Sequence, residues 1–350
     1  MDILKKIEEQ LKAGFPFAVF CKPGSNKVTG IFRNDALAHC LSEGSGRGFV
    51  MAPFSGKKVI YIQYEGSDIV SEELQENDID TNAPEKPGTD PKVKAAFEAL
   101  VIKSVNAINE GHFDKLVTSR SEIAETNIAP AELYRRLLAA YPLAYRYCFY
   151  TPETGLWMGA TPEQLLKAEN HTLHTVALAG TQVYQPDVES VWEQKERREQ
   201  EFVTEYILNE LKDFVTETSL RGPYTFRAGN LVHLKTDISA EIKPGMLLDN
   251  IVQKLHPTPA VCGLPKQDAA QFLLENEGYN REYYAGYLGE WEIDLATGYP
   301  KTDLFVNLRC MKVAGTTAQL FIGCGITADS DPEKEFYETV NKSMTMRRVL

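Results

Sequence analysis

Two glutamate pairs have a spacing that could do chemistry. Between 191 and 217 the apolar residues Val203, Ile207, Leu211 and Phe214 recur at helical steps, and the same stripe carried backward meets Glu199 and then Glu196. A carboxylate on a core-facing stripe needs a cation or a counter-charge, because an unpaired buried charge is strongly unfavourable. The bland reading of the same segment, KERRE at 195–199, is a solvated turn of i,i+4 ion pairs beyond the edge of the core. The second pair, Glu335 and Glu338, falls in the first turns of a helix opened by Asp331-Pro332, where carboxylates also suit the helix dipole. Together the pairs offer hard oxygen ligands on two helices, a set suited to magnesium with waters and substrate completing an octahedron. Neither helix carries the Glu-x-x-His spacing of a di-iron bundle.

Other residues are ambiguous alone. FIGCGITADSDP at 321–332 places Gly323 and Gly325 where backbone N–H groups could approach an anionic oxygen, but the third glycine of a dinucleotide fingerprint is missing and a plain tight turn fits as well. Thr161-Pro162-Glu163-Gln164 has capping-box form and predicts a helix over 162–167 with Glu163 in its first turn. The helix dipole there would lower the Glu163 pKa, which opposes a general-acid role unless burial raises it more. Lys115 and Arg309 each stand in a strand pattern, where cations usually reach solvent or pair with acids. His256 has no second histidine at ligand spacing.

The elements that must position these residues read as α+β. An amphipathic helix at the N-terminus (Leu4, Ile7, Leu11) precedes short β segments over 15–75 and an acidic, proline-rich loop at 76–92. Asp90-Pro91 opens a helix running to Gly111, and FDKLVTSR follows as a strand with Lys115 near its start. Further helices are predicted near 131–140, 162–167, 191–217, 266–276 and 333–348, and strands near 145–150, 172–178, 285–293, 304–312 and 318–323. No low-complexity block or Gly/Ser linker divides the 350 residues, so one large domain over 1–350, or two intimate ones, is expected.

Composition narrows the function. A hydrophobic content of 43% supplies a sizeable core and excludes a disordered chain. A net charge of −12 repels phosphate backbones and anionic bilayers, so no nucleic acid and no membrane are expected as partners, and an anionic ligand needs locally placed cations. No apolar run reaches membrane-spanning length, the N-terminal helix carries Glu8 and Glu9 unlike a signal peptide, and the cysteines lack CxxC spacing, so a cytoplasmic protein with free thiols is expected.

Taken in order, FDKLVTSR, GATPEQLL, ALAGT, KERREQEF, HPTPAVCGLP, REYYAGYLG, LRCMKV, GCGI and EKEFYETVNK resemble the chorismate-utilising family of isochorismate, salicylate, anthranilate and aminodeoxychorismate synthases. The resemblance covers about 93–350, and 1–92 match only vaguely. It implies a large layered domain of two packed antiparallel β-sheets covered by helices. It also implies that Lys115 is the general base activating water and Glu163 the general acid protonating a departing 4-hydroxyl. Glu199 and Glu338 would hold Mg2+, with Glu196 and Glu335 supporting. Leu178, Ala179, Gly180, His256, Ala260, Tyr284, Arg309, Gly323, Gly325 and Lys342 match substrate-binding positions. Ala179 stands where a lysine nucleophile would, and HPTPA with Ala260 is typical of the branch that converts chorismate to isochorismate. Salicylate synthase and ammonia-using members are the nearest alternatives, and a non-catalytic chorismate-binding subunit would be expected to have lost these residues. No glutamine amidotransferase subunit is expected to be obligatory, and a monomer or weak dimer is expected. Cys324 replaces a usual alanine and Gln200 a frequent histidine.

Overall fold

Phe17–Cys21, FAVFC, is an apolar run without polar alternation, as a strand buried on both faces requires. In the computed structural model, which describes residues 2–36, 39–40, 46–56, 58–74, 88, 90–186, 190–228 and 231–350, that is what it is. Ala18 and Phe20 face one core cluster and Phe17, Val19 and Cys21 another. The stretch 76–92 expected as a loop lies outside the described residues except for 88 and 90–92.

In chain order the first elements are α1 (Asp2–Ala13), β1 (Phe17–Cys21), β2 (Lys27–Phe32), β3 (His39–Cys40), β4 (Gly48–Ala52), β5 (Ile60–Gln63), β6 (Asp68–Glu73), α2 (Pro91–Asn109) and β7 (Lys115–Glu125). Next come α3 (Pro130–Ala140), β8 (Tyr145–Thr151), β9 (Gly155–Thr161), β10 (Gln164–Glu169), β11 (Thr172–Val183), α4 (Gln194–Leu211), β12 (Val215–Ala228) and β13 (Leu231–Ile242). The chain ends with α5 (Leu248–Leu255), β14 (Gly263–Leu264), α6 (Lys266–Asn276), β15 (Tyr287–Trp291), β16 (Thr302–Val306), β17 (Cys310–Ala314), β18 (Thr317–Ile326) and α7 (Pro332–Arg347).

The strands form two 9-stranded sheets, β14-β7-β18-β17-β9-β8-β1-β2-β6 and β12-β13-β11-β10-β16-β15-β4-β5-β3. Every pairing between described strands is antiparallel, as in β1 with β8 and β15 with β4. Between the sheets, Phe20 of the first meets Phe49 of the second at 5.5 Å between ring centroids, and Tyr145 stacks on Phe305 at 4.0 Å. On the outer face of the first sheet, Ile3 and Ile7 of α1 and Leu133 and Leu137 of α3 bury the other side of β1. This is the expected α+β architecture of two helix-covered antiparallel sheets. None of the described helices is long and apolar enough to cross a membrane.

The expected helix at 162–167 is instead the start of β10. Thr161 Oγ1 donates to Val306 O at 2.6 Å, and Gln164 Nε2 reaches Asp303 Oδ1 at 2.6 Å instead of returning to the cap. Pairing with β16, together with burial of Leu165 and Leu166, overrides the local capping signal. The single strand expected at 304–312 is two strands in different sheets, β16 and β17. Arg309, which was read as a strand residue, lies at the crossover with φ +47. The helix expected to reach 217 ends at Leu211, and the long β12–β13 hairpin follows. That hairpin was not among the expected elements, although Val232, Leu234, Thr236, Ile238 and Ala240 alternate as a half-buried strand should.

Candidate active site

Two adjacent crossovers between the sheets position Glu163 and Arg309. The chain passes from β9 to β10 through Pro162-Glu163, and from β16 to β17 through Asn307–Arg309. The two are tied together by Val306 N donating to Glu163 O at 2.9 Å and Ala160 N donating to Arg309 O at 3.0 Å. Glu163 is half-buried by surface area but lies deep in the protein, and among the described residues no hydrogen bond ends on its carboxyl. Burial pushes that carboxyl up to about 7, against the pull of the Lys115 charge. No helix dipole acts on Glu163, since no helix starts there.

Lys115 opens β7, and its side chain crosses Gly325 of β18. A Cβ at 325 would lie 3.1 Å from Lys115 Cε. Its Nζ donates to Glu199 Oε1 at 3.1 Å. Two residues earlier on β18, a Cβ at 323 would come within 2.6 Å of the Tyr284 hydroxyl, whose ring stacks on Phe321 at 5.7 Å. Lys342 Nζ donates to Gly323 O at 3.1 Å and pairs with Glu338 Oε1 at 2.6 Å. Arg309 Nη1 donates to Lys342 O at 3.3 Å, and no described ion pair gives its guanidinium a carboxylate. Burial lowers the Arg309 pKa, against the pull of Tyr284 and Glu338. Lys115, Arg309 and Lys342 thus supply local cations in a protein of net charge −12.

Glu196 and Glu199 are half-buried while Arg197 and Arg198 between them are exposed, so the glutamates take the inner side of α4. Buried Gln200 holds that helix against β13, donating to Thr236 Oγ1 at 2.7 Å. Glu196 caps its own helix, accepting from Glu193 N at 2.7 Å, and packs under Gly180, whose φ of +69 suits glycine. At the start of α7, Glu335 accepts from Ser330 Oγ at 2.8 Å while its Oε2 is buried without a hydrogen-bond partner. Burial, reinforced by neighbouring Glu338, raises the Glu335 pKa. An orphaned buried carboxylate oxygen in an all-oxygen donor set suits a hard divalent cation. Among the described residues no three such side chains form a group that could hold a metal, and Glu199 and Glu338 pair with Lys115 and Lys342.

The remaining expected residues divide. Leu178 and Ala260 line a small cavity beside Glu163. Ala179 is part of the core, and the Gly180 carbonyl faces His233 Nδ1 at 3.1 Å. His256 packs edge-on against Tyr287 at 5.0 Å between ring centroids. Its Nε2 donates to Pro53 O at 3.0 Å, and burial lowers its pKa to about 4. Tyr206 and Thr258, which also line the cavity, were assigned no role from sequence, since a tyrosine between Val203 and Ile207 reads as part of the helix's apolar face.

The arrangement is an amine and a protonatable carboxyl beside cations able to hold carboxylates. Residues 60–350 match the chorismate binding enzyme family. The chain belongs to that family. Isochorismate synthase MenF from Escherichia coli (strain K12) is 30% identical over 271 residues, 73% of this chain and 60% of that protein. Isochorismate synthase EntC of the same strain is 30% identical over 267 residues, 73% of this chain and 67% of that protein. The match therefore spans 60% of the length of the first of these relatives. In fold the chain is similar to DhbC from Bacillus anthracis, with a TM-score of 0.77 at 24% identity, covering 99% of each chain.

Proposed function

We propose that this protein is an isochorismate synthase acting as one catalytic domain on chorismate alone, in the cytoplasm, as a monomer or weak dimer. The observation that carries the reading is Glu163, a carboxyl without a described hydrogen bond that keeps its proton close to neutral pH, set within the field of the Lys115 amine. In this reaction water adds at ring carbon 2, the double bonds shift, and the 4-hydroxyl leaves. Lys115 Nζ, which must be in its neutral form for this step, takes the proton of the attacking water. Glu163 gives its proton to the departing oxygen, which takes the bonding electron pair and leaves as water, so one water enters and one leaves.

Arg309, Lys342 and the Tyr284 hydroxyl orient the substrate's carboxylates over Gly323, where the absence of a side chain leaves backbone accessible. Glu199 and Glu338, supported by Glu196 and Glu335, would hold magnesium, which supplies positive charge to neutralise the ring carboxylate. Ala179 gives no amine nucleophile, which disfavours covalent ammonia-using chemistry. The product would feed menaquinone or siderophore synthesis.

The test is incubation with chorismate and magnesium, with and without ammonium, with products resolved chromatographically and the reaction repeated with a chelator. Isochorismate as sole product, abolished by chelation, is expected. Salicylate with pyruvate, an aminated product, or unchanged chorismate would each overturn the assignment.

A further inference from the structure

The described residues pack into two large hydrophobic clusters and one small one. The small cluster consists of Trp192, Val232 and Leu234 with Tyr184 against it, and is separate from the cores that hold the two sheets. Trp192 directly precedes Glu193, the N-cap of α4, whose capping box with Glu196 closes the first turn. An apolar residue in that place commonly packs against the fourth residue of its own helix. Here that residue is Arg197, which is exposed and only returns its Nε to the Trp192 carbonyl at 3.3 Å. The indole packs on the sheet instead. Its Nε1 donates to Thr225 Oγ1 of β12 at 2.8 Å, and Thr225 stands opposite Leu234 of β13. A Cβ on Gly180 of β11 would come within 3.3 Å of the indole and 3.2 Å of Glu196 Cβ, so indole and helix start lie side by side over that glycine. Gln182 ties the same segment a second time, Nε2 donating to Val191 O at 2.9 Å and to Glu196 Oε1 at 3.1 Å. The Arg227 guanidinium, 3.6 Å from the Tyr184 ring centroid, closes the edge of the cluster.

We propose that Trp192 is a positioning residue that clamps the start of α4 to the loop end of the β12–β13 hairpin and thereby fixes where Glu196 and Glu199 stand. An indole buries a large apolar area while anchoring one polar atom, and this one does both at 7% exposure. From Gln200 onward α4 has other anchors, since Gln200 donates to Thr236 and Val203 and Ile207 belong to a large cluster. The stretch before Gln200 carries both glutamates and depends on the small cluster. A segment held by few buried apolar contacts opens at a lower free energy than the main core does. The start of α4 can therefore loosen while the sheets stay folded, and Trp192 is what prevents it. The clamp stands on packing and hydrogen bonds alone; its bearing on the reaction rests on the reading of Glu199, supported by Glu196, as a magnesium ligand.

The test uses the full chain with Trp192→Ala, Trp192→Phe and Thr225→Val. In hydrogen exchange read by mass spectrometry, the amides over 196–200 should exchange roughly tenfold faster in Trp192→Ala, with those of β1 and β8 unchanged and the urea midpoint held. Trp192→Phe keeps an aromatic ring and loses the indole N–H, so it should restore most of the protection, and Thr225→Val should cost less than Trp192→Ala. Mn2+ titrated into the chain and followed by electron paramagnetic resonance should bind roughly tenfold more weakly to Trp192→Ala, the scale on which groups that orient metal ligands act. Unchanged exchange over 196–200 in Trp192→Ala would overturn the clamp. So would a Trp192→Ala chain that fails to fold or loses protection throughout both sheets, because the small cluster would then belong to global stability. Faster exchange with Mn2+ affinity unaltered would overturn the link to the glutamates. If the unaltered protein binds no Mn2+ or makes no isochorismate, the functional reading fails while exchange over 196–200 still decides the clamp.

Discussion

Replacing Glu163 by glutamine separates what its carboxyl does for chemistry from what it does to folding. In the folded protein this carboxyl titrates near 7, against 4.5 for an unperturbed glutamate, because the charged form is desolvated at the crossover. A folded-state pKa above the unfolded value means that the folded protein binds the proton more tightly. The associated stability is fully present below about 4.5 and is lost as pH rises through about 7. At 1.36 kcal/mol per pH unit the full span is about 3 kcal/mol, and the surface Glu163 retains toward solvent brings the expectation to about 2–3 kcal/mol. Glutamine has no charge to desolvate, so Glu163→Gln should gain about that much relative to the unaltered protein between pH 5 and pH 8. Urea unfolding of both proteins across that range measures the difference directly, and other groups such as Glu290, also pushed up to about 7 by burial, cancel in it. The same variant should lose turnover. A stability difference that is constant across pH would refute the claim that Glu163 is buried with its proton.

The glycines of β18 give a contrasting pair. Gly325→Ala meets only the flexible end of Lys115, at 3.1 Å, so the fold should survive while turnover falls as Nζ is displaced. Gly323→Ala meets the Thr118 carbonyl at 2.9 Å as well as the Tyr284 hydroxyl, and should lower stability by about 1–3 kcal/mol in urea unfolding. Arg281→Met removes the partner of Glu277, a pair 2% exposed on each side, and leaves a buried carboxylate; a loss of about 3–5 kcal/mol is expected by thermal or urea denaturation. Lys115→Ala should abolish turnover in the product assay and raise the Glu163 pKa above its present value, because it removes the one charge that lowers it. Carboxyl 13C titration would read that rise, and no change would show that the two groups do not interact.

The sequence by itself determined the elements whose periodicity and caps agree with their surroundings. Helix α2 begins where Asp90-Pro91 predicts, with Asp90 capping Lys92 N at 2.8 Å, and α3, α6 and α7 fall where their patterns place them. Lys115 at a strand start and the inner register of Glu196 and Glu199 were equally legible, because residues on one strand or one helical face keep a fixed phase. The crossovers were not legible. TPEQ carries a helix-cap signal worth on the order of 1 kcal/mol, whereas pairing β10 with β16 buries Leu165 and Leu166 between distant segments. The break at Asn307–Arg309 follows from one apolar run having to serve two sheets, which no local pattern announces. Those long-range pairings placed Glu163 in a desolvated crossover, reversed the direction of its pKa from that of a helix start, and set a small cavity beside it. Sequence supplied the reactive groups; the packing of one sheet on the other set their environment, because desolvation depends on everything brought near a group and not on its neighbours in the chain.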